Sequence, residues 1–385
     1  MLAPHGSRQS QPIQIVFLCG ARDFHAFDWY QSALKANIHP KPIILTDLIA
    51  GEGFKQLVNG DDIVSKLLIL DKWLPRKQSA AANIWRNALK AFVFPIQVLL
   101  IRRFASKHQP CIYYAHSMYY IWLAWAARIK FIGTPQGSDI LVKPYKSRIF
   151  WLLSRWSIRS ALFVTVDSSR MAHGVKLIAN VTPMVLQNGI DIASLKETIS
   201  LHAVNQDCAS NRIISFRGFT PLYRIREVLL ARNSSKKYSN TGIDFIYPFY
   251  EESYLRNVSS LRLGHDTLMG RIEREEMYSL FHNSLLCISI PSSDSSPRSV
   301  YEAIFCGAAV AVSDQGYIYD LPCSMRERII VVNLDDPDWL DLAIDQAYSL
   351  RPKRFEPCEE ALTTFDQLRS FQRLYRFSLD AANHA

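Results

Sequence analysis

The sequence predicts an α/β protein of two doubly wound, Rossmann-like domains. At 385 residues the chain exceeds what one ordinary core serves and suits two domains of ~150–200 residues. Short apolar, β-branched runs alternate with amphipathic stretches of helical length, the pattern of parallel sheets covered by helices. The strand series also restarts midway, after the turn signal Asn188-Gly189.

The first series reads Ile13–Leu18, Ile43–Thr46, Leu67–Leu70, Cys111–Ala115, Phe131–Thr134, Phe163–Val166 and Met184–Gln187. The second reads Ile213–Phe216, Ile243–Tyr247, Leu261–Leu263, Leu285–Ile290, Ala309–Ser313 and Ile329–Asn333. Segments 201–211 and 233–241 are polar and aperiodic, as surface loops are. Phe365, Leu368, Phe371, Leu374 and Phe377 recur at helical spacing. The expected domains are 1–187 and 188–364, with residues 365–385 forming a C-terminal return helix that packs on the first domain.

No apolar run reaches the ~18–20 residues that cross a bilayer, and the run from Ile13 to Gly20 lacks the basic start and longer core of a signal peptide. Cys19, Cys111, Cys208, Cys287, Cys306, Cys323 and Cys358 are odd in number, scattered and free of any C-x-x-C pair, which argues against a disulfide framework or a zinc site. A cytoplasmic protein is expected.

The net charge is +9, and it is concentrated: residues 72–159 carry fifteen Lys or Arg against one acid, Asp139. Such a field attracts phosphates, anionic lipid or nucleic acid. Nucleic acid is disfavoured, because no helix-turn-helix, zinc or RNA-binding signature accompanies the charge. Residues 148–160 read as a helix with Ile149, Leu152, Leu153 and Trp156 on one side and Arg148, Arg155 and Arg159 on another. The stretch Trp85–Arg103 also interleaves aromatic and basic residues, with Pro95 expected to kink or break any helix there. Both stretches suit an anionic membrane surface; both would also serve as helices that cover a sheet and leave their charges in water.

Ligands of open α/β sheets sit at the carboxyl ends of strands. The strand Leu285–Ile290 runs into Pro291-Ser-Ser-Asp-Ser-Ser-Pro-Arg-Ser299 and a helix ending near Gly307. Pro297 suits the first turn, and Ser295 or Ser296 the cap. The N–H groups near Arg298 and Ser299 then form a place for phosphate. Asp294 precedes the helix and Glu302 lies about one turn inside it, so two carboxylates can address different parts of one ligand. A loop acid and a solvated helix residue would give the same spacing.

The run from Pro291 to Gly307 resembles the acid-x7-Glu motif of retaining GT-B glycosyltransferases, the large group 1 family with many bacterial polysaccharide and glycolipid enzymes. Four more segments match in the family's order, one of them Gln187-Asn188-Gly189-Ile-Asp191, which resembles the segment where the chain crosses into the second domain. Ser215-Phe-Arg217-Gly-Phe-Thr-Pro-Leu-Tyr-Arg224 resembles the loop whose basic residues clamp the donor diphosphate. Leu263 to Met277 resembles the loop whose backbone, here Gly270, Arg271 and Ile272, contacts the base. Thr134-Pro-Gln136-Gly137-Ser-Asp139 resembles an interdomain segment in which a His often stands where this chain has Gln136. The acceptor side rests on Gln136, Gly137, Asp139, Gly20 of the first-strand loop, and His116 at the end of a strand.

The resemblance implies a GT-B fold with two domains facing a central cleft, and transfer of a sugar from a nucleotide diphosphate sugar, with retention, to a glycan or a lipid-diphosphate-linked acceptor. It implies catalytic roles for Asp294 and Glu302 and donor binding by Arg217, Arg224, Gly270, Arg271, Ile272, Arg298, Ser299 and Glu302. In the family the first acid is usually Glu and contacts the sugar; here it is Asp294, one methylene shorter. No cofactor or metal is implied. The setting expected is cell-surface polysaccharide or lipopolysaccharide synthesis, peripheral on the inner face of the cytoplasmic membrane. An inactive donor-binding partner or scaffold, or a nucleotide-sugar epimerase, would also fit these residues.

Overall fold

The computed structural model describes residues 13–20, 23–46, 64–66, 80–108, 110–203, 211–353 and 355–384. The expected strand Leu67–Leu70, Cys208, the start of the basic stretch and most of segment 201–211 lie outside them.

The chain divides into two compact units, Met1–Asn188 with Gln367–Ala385, and Gly189–Asp366. In the first, strands β1 (Gln14–Cys19), β2 (Ile43–Thr46), β3 (Val64–Lys66), β4 (Cys111–His116), β5 (Phe131–Thr134), β6 (Phe163–Val166) and β7 (Met184–Val185) form one sheet in the order β3-β2-β1-β4-β5-β6-β7. Every pairing is parallel. Its helices are α1 (Phe24–Lys35), α2 (Ala80–Lys107), α3 (Met118–Ala127), α4 (Gly137–Leu141), α5 (Lys143–Lys146), α6 (Arg148–Arg159) and α7 (Ser169–Ala179). Alternate residues of β1 serve opposite faces: Val16 and Leu18 join one buried cluster, and Ile15, Phe17 and Cys19 the other. That double burial is why the strands read as continuous apolar runs.

The second unit repeats the plan. Strands β8 (Ile213–Ser215), β9 (Ile243–Ile246), β10 (Thr267–Gly270), β11 (Leu286–Ser289), β12 (Ala309–Ser313) and β13 (Ile329–Val332) form a parallel sheet ordered β10-β9-β8-β11-β12-β13. Around it lie α8 (Ile192–Ala203), α9 (Ile225–Ser234), α10 (Glu252–Ser259), α11 (Arg274–Asn283), α12 (Arg298–Phe305), α13 (Cys323–Arg326), α14 (Trp339–Leu350) and α15 (Glu359–Phe365). Both sheets therefore reverse strand order at one place, between β1 and β4 and between β8 and β11. Loops leaving the two central strands part there and open a crevice.

Several expectations change. Leu261–Leu263 is a turn, and the strand falls on Thr267–Gly270. The cause is a buried ion pair. Arg232 grips Asp266 with two bonds of 2.8 and 2.9 Å, and Asp266 also accepts from the amides of Leu263 and Ile243. Those bonds hold the chain in a loop until residue 266. Pro95 lies inside an unbroken α2; a proline removes one helical hydrogen bond, and the rest of the helix persists around it. Residues 201–203 are the last turn of α8.

The C-terminal pattern is two helices. Asp366 is extended, bridges to Ile190 and separates α15 from α16 (Gln367–His384). Phe365 stays in the second unit, its ring 4.7 Å from that of Tyr301. The helix α16 belongs to the first unit and packs on α1, burying Phe371 against Phe17 and Trp29.

Of the two orientations open to helix α6, the structure has the outward one. Ser154, Ser157 and Ile158 are buried and Phe150 and Trp151 pack against the core, while Ile149 is 72% exposed and Leu152 and Trp156 also face solvent. Part of the basic charge is structural: Arg102 donates to the carbonyls of Ala126 and Ala127 at the end of α3, and Arg159 to that of Ala179 at the end of α7, where cations complement the helix C-terminus.

The Arg232–Asp266 pair has no solvent exposure. Removing one partner strands the other charge, so Asp266→Ala is expected to cost about 3–5 kcal/mol, read as a lowered midpoint in urea unfolding.

Candidate functional site

At the switch point of the second sheet, β8 ends at Ser215 and β11 at Ser289. Arg217 leaves the first strand and turns toward the second: its Nε donates to Ser289 Oγ at 2.6 Å, and an Nη donates to Asp294 Oδ2 at 3.1 Å. The guanidinium lies near the rings of Phe216 and Tyr223, 5.5 and 5.6 Å from their centroids. The loop carrying Asp294 is pinned by hydrogen bonds to neighbouring segments. Ser292 N donates to Leu222 O, Asp294 N to Gln315 Oε1, and Ser313 Oγ to Pro291 O.

Helix α12 begins one residue later than expected. Pro297 is its N-cap, and no side chain caps it; the Ser296 hydroxyl instead accepts from Tyr301. The first bond within the helix runs from Val300 N to Pro297 O, so the amides of Arg298 and Ser299 precede the hydrogen-bonded turns. Gly307, at φ +91°, ends the segment in a conformation that glycine tolerates best.

Glu302 is only 4% exposed. Its Oε1 accepts from the Tyr278 hydroxyl at 3.1 Å and Arg298 Nε at 3.2 Å, with Arg274 Nε at 3.9 Å. Burial and the nearby carboxylate push the Tyr278 phenol far above its usual range, so Tyr278 stays a donor. All these partners meet one oxygen, and Oε2 has none among the described residues.

The structure thus joins Arg217 to Asp294 and Arg298 to Glu302. Arg224 is the N-cap of α9 at φ +53° and has no ion pair among the described residues. Gly270, at φ +70°, closes β10 on the sheet's edge; Arg271 is exposed, and Ile272 packs with the cluster that includes Tyr278 and Tyr301.

A second polar cluster occupies the switch point of the first sheet. Asp23 caps α1 and binds His116 Nδ1 at 2.7 Å, and Gln136 Nε2 donates to the same carboxylate at 3.2 Å. Burial alone would raise Asp23, but the attraction and hydrogen bond of His116 outweigh it and hold the carboxyl at about 2. Burial likewise opposes charge on His116, and Asp23 reverses this, raising the imidazole above its ordinary value. Asp139 accepts from Met118 N, Gln136 N and Lys143 Nζ, which fixes the start of α4 at Gly137. A Cβ on Gly20 would lie 3.1 Å from the Tyr120 hydroxyl, so the first-strand loop is packed closely there.

No family model matches the sequence, and no curated protein matches it. Solved structures do. The Anabaena protein Alr3699/HepE in complex with UDP and glucose gives a TM-score of 0.66 at 12% identity, covering 95% of this chain and 99% of that one. Sucrose-phosphate synthase from Thermosynechococcus elongatus gives 0.68 at 13% identity, over 97% and 100% of the two chains. A glycosyltransferase from Rickettsia africae ESF-5 gives 0.65 at 14%, over 97% and 100%.

The fold is GT-B. At such identities the likeness carries the fold and not the activity. Within this GT-B chain, both polar clusters occur where doubly wound sheets bind ligands.

Asp23, Ser289, Tyr278 and Arg274 were not read as site residues from sequence. Asp23 had a signal, an acid just before an amphipathic run, which marks an N-cap. The others are brought in by tertiary contact alone. The Asp23–His116 pair stabilises the fold fully above the ordinary carboxyl range and below the ordinary imidazole range, roughly pH 4.5–6. Its contribution falls as pH drops toward the lowered Asp23 value or rises through the raised His116 value. His116→Gln is expected to cost on the order of 2 kcal/mol in that window and less at pH 9, measured as the difference in thermal midpoint from the parent across pH.

Proposed function

We propose that this chain transfers a glycosyl group from a nucleoside diphosphate sugar to a hydroxyl of a glycan or lipid-linked glycan. The observation that carries the reading is the meeting of Arg217 and Asp294 at the switch point of the second sheet, beside the amino end of α12. A relative in fold, the Anabaena protein, is known in complex with UDP-glucose.

As the bond from the anomeric carbon to the leaving phosphate breaks, negative charge grows on the diphosphate and positive charge on the sugar. Arg217, Arg224 and the amides at Arg298–Ser299 would stabilise the first. Asp294 would hold the sugar hydroxyls and favour the second. Glu302, whose Oε1 is already engaged, would offer Oε2 to the ribose hydroxyls, while the backbone of Gly270–Ile272 meets the base. Cationic side chains in these roles make a bound metal unnecessary to the reading.

Retention rests on the acid-x7-Glu resemblance. The Asp23–His116 pair favours a second reading, inversion. There the carboxylate orients the ring through Nδ1, and Nε2 takes the acceptor's proton as general base. Proton NMR of the product distinguishes them: retention keeps the donor's anomeric configuration, and His116→Gln then leaves most of kcat. Inversion changes the configuration, and His116→Gln costs about a hundredfold or more.

No helix among the described residues is long and apolar enough to cross a membrane. We assign the protein to the cytoplasmic face of the membrane as a peripheral enzyme of cell-surface polysaccharide or lipopolysaccharide synthesis, which the exposed apolar residues and surplus charge of α6 support.

The donor assignment is tested by thermal shift with UDP, GDP, ADP and CMP. One diphosphate is expected to stabilise the protein, by about 2.7 kcal/mol at a hundredfold excess over Kd, and Glu302→Ala to lose most of that gain. Equal shifts in both proteins, or none, would remove Glu302 from the donor site.

A further inference from the structure

A cavity of about 760 Å³ opens in the first unit between α2, α3 and α6, within the range that encloses small ligands. Phe94, Trp122, Trp125 and Phe150 give it an aromatic wall, and Lys90 and Lys143 give it cations. Lys90 Nζ stands 4.3 Å over the Tyr119 ring, and Lys143 binds Asp139. The indole N–H of Trp122 is buried with no hydrogen-bond partner among the described residues.

The cavity borders the polar cluster of the first sheet at Gln136, which lines it and also donates to Asp23. Its outer helices carry apolar side chains into solvent: Phe92, 79% exposed, with Ile96 and Leu99 on α2, and Ile149, Leu152 and Trp156 on α6. α6 already faces the core with Phe150, Trp151 and Ile158 beside Ser154 and Ser157, so its exposed apolar side chains are not needed for that packing.

We propose that this groove binds the lipid end of the acceptor, a phosphorylated amphiphile. Its hydrocarbon chain lies along the aromatic wall, and its phosphate is drawn to Lys90 and Lys143. Three features select such a ligand together: aromatic walls for a chain, lysines for an anion, and a path ending at Gln136 where a sugar hydroxyl would be held. A bulk bilayer lipid needs the first two only. The proposal deepens the transferase reading by naming the acceptor's chemistry, and its test does not require donor binding.

The probe is farnesyl monophosphate, with farnesol, inorganic phosphate and phosphatidylglycerol vesicles beside it, measured by calorimetry on the full chain. Farnesyl monophosphate is expected to bind, farnesol to bind about tenfold or more weakly, and inorganic phosphate not to compete. Ala91 lines the groove from an exposed position on α2, so Ala91→Trp should fill it and weaken binding about tenfold or more, about 1.4 kcal/mol. The UDP thermal shift should be unchanged in that variant, which shows that it is folded. If UDP shifts neither protein while the groove still discriminates, the donor reading fails and the groove stands. Equal binding by the parent and Ala91→Trp, no binding by either, or displacement of the probe by vesicles would overturn the proposal.

Discussion

A parallel sheet covered by helices on both sides has no face to give to water. Its strands must be largely apolar on both sides, and functional polar side chains gather where strands end and loops begin. This constraint shapes both units. In each, the two strands on either side of the order reversal, β1 and β4 or β8 and β11, send their loops to opposite sides of the sheet and leave a crevice at the seam. Ionisable groups gather there, Asp23 and His116 in one unit and Arg217 and Asp294 in the other; a charge buried elsewhere is matched by a partner, as Arg232 is by Asp266.

Charges in such places must be compensated before a ligand arrives. Arg217 is largely buried, and it is held by a serine hydroxyl, a carboxylate and two aromatic faces. Glu302 is held by a phenol and two arginines. Both groups are therefore fixed in position, and neither needs large reorganisation to meet an anion or a diol. A diphosphate entering this site would compete with Asp294 for Arg217. Under the proposed function, that exchange would couple donor binding to release of Asp294.

Most of the fold was legible in the sequence because burial of strands on both faces leaves long apolar runs. Twelve expected strands lie on described residues, and only Leu261–Leu263 was misplaced among them. It failed because a tertiary ion pair, Arg232 with Asp266, overrides a local apolar run. For α6 the sequence left two orientations open, because periodicity identifies an apolar stripe but not the side on which the protein lies. Among the candidate residues, Asp294, Glu302 and Arg217 were singled out by motif and order. Ser289, Tyr278 and Arg274 were not, since nothing in their local sequence distinguishes them from ordinary strand and helix positions.

The central claim, that the crevice at β8 and β11 is where a nucleoside diphosphate sugar binds, is tested most directly by amide hydrogen exchange with and without UDP-glucose and GDP-mannose. One donor should slow exchange in 216–225 and 291–302 of the second unit, where the amides of Arg298 and Ser299 lie. Protection confined to other segments, or none with a donor shown by calorimetry to bind, would contradict the claim.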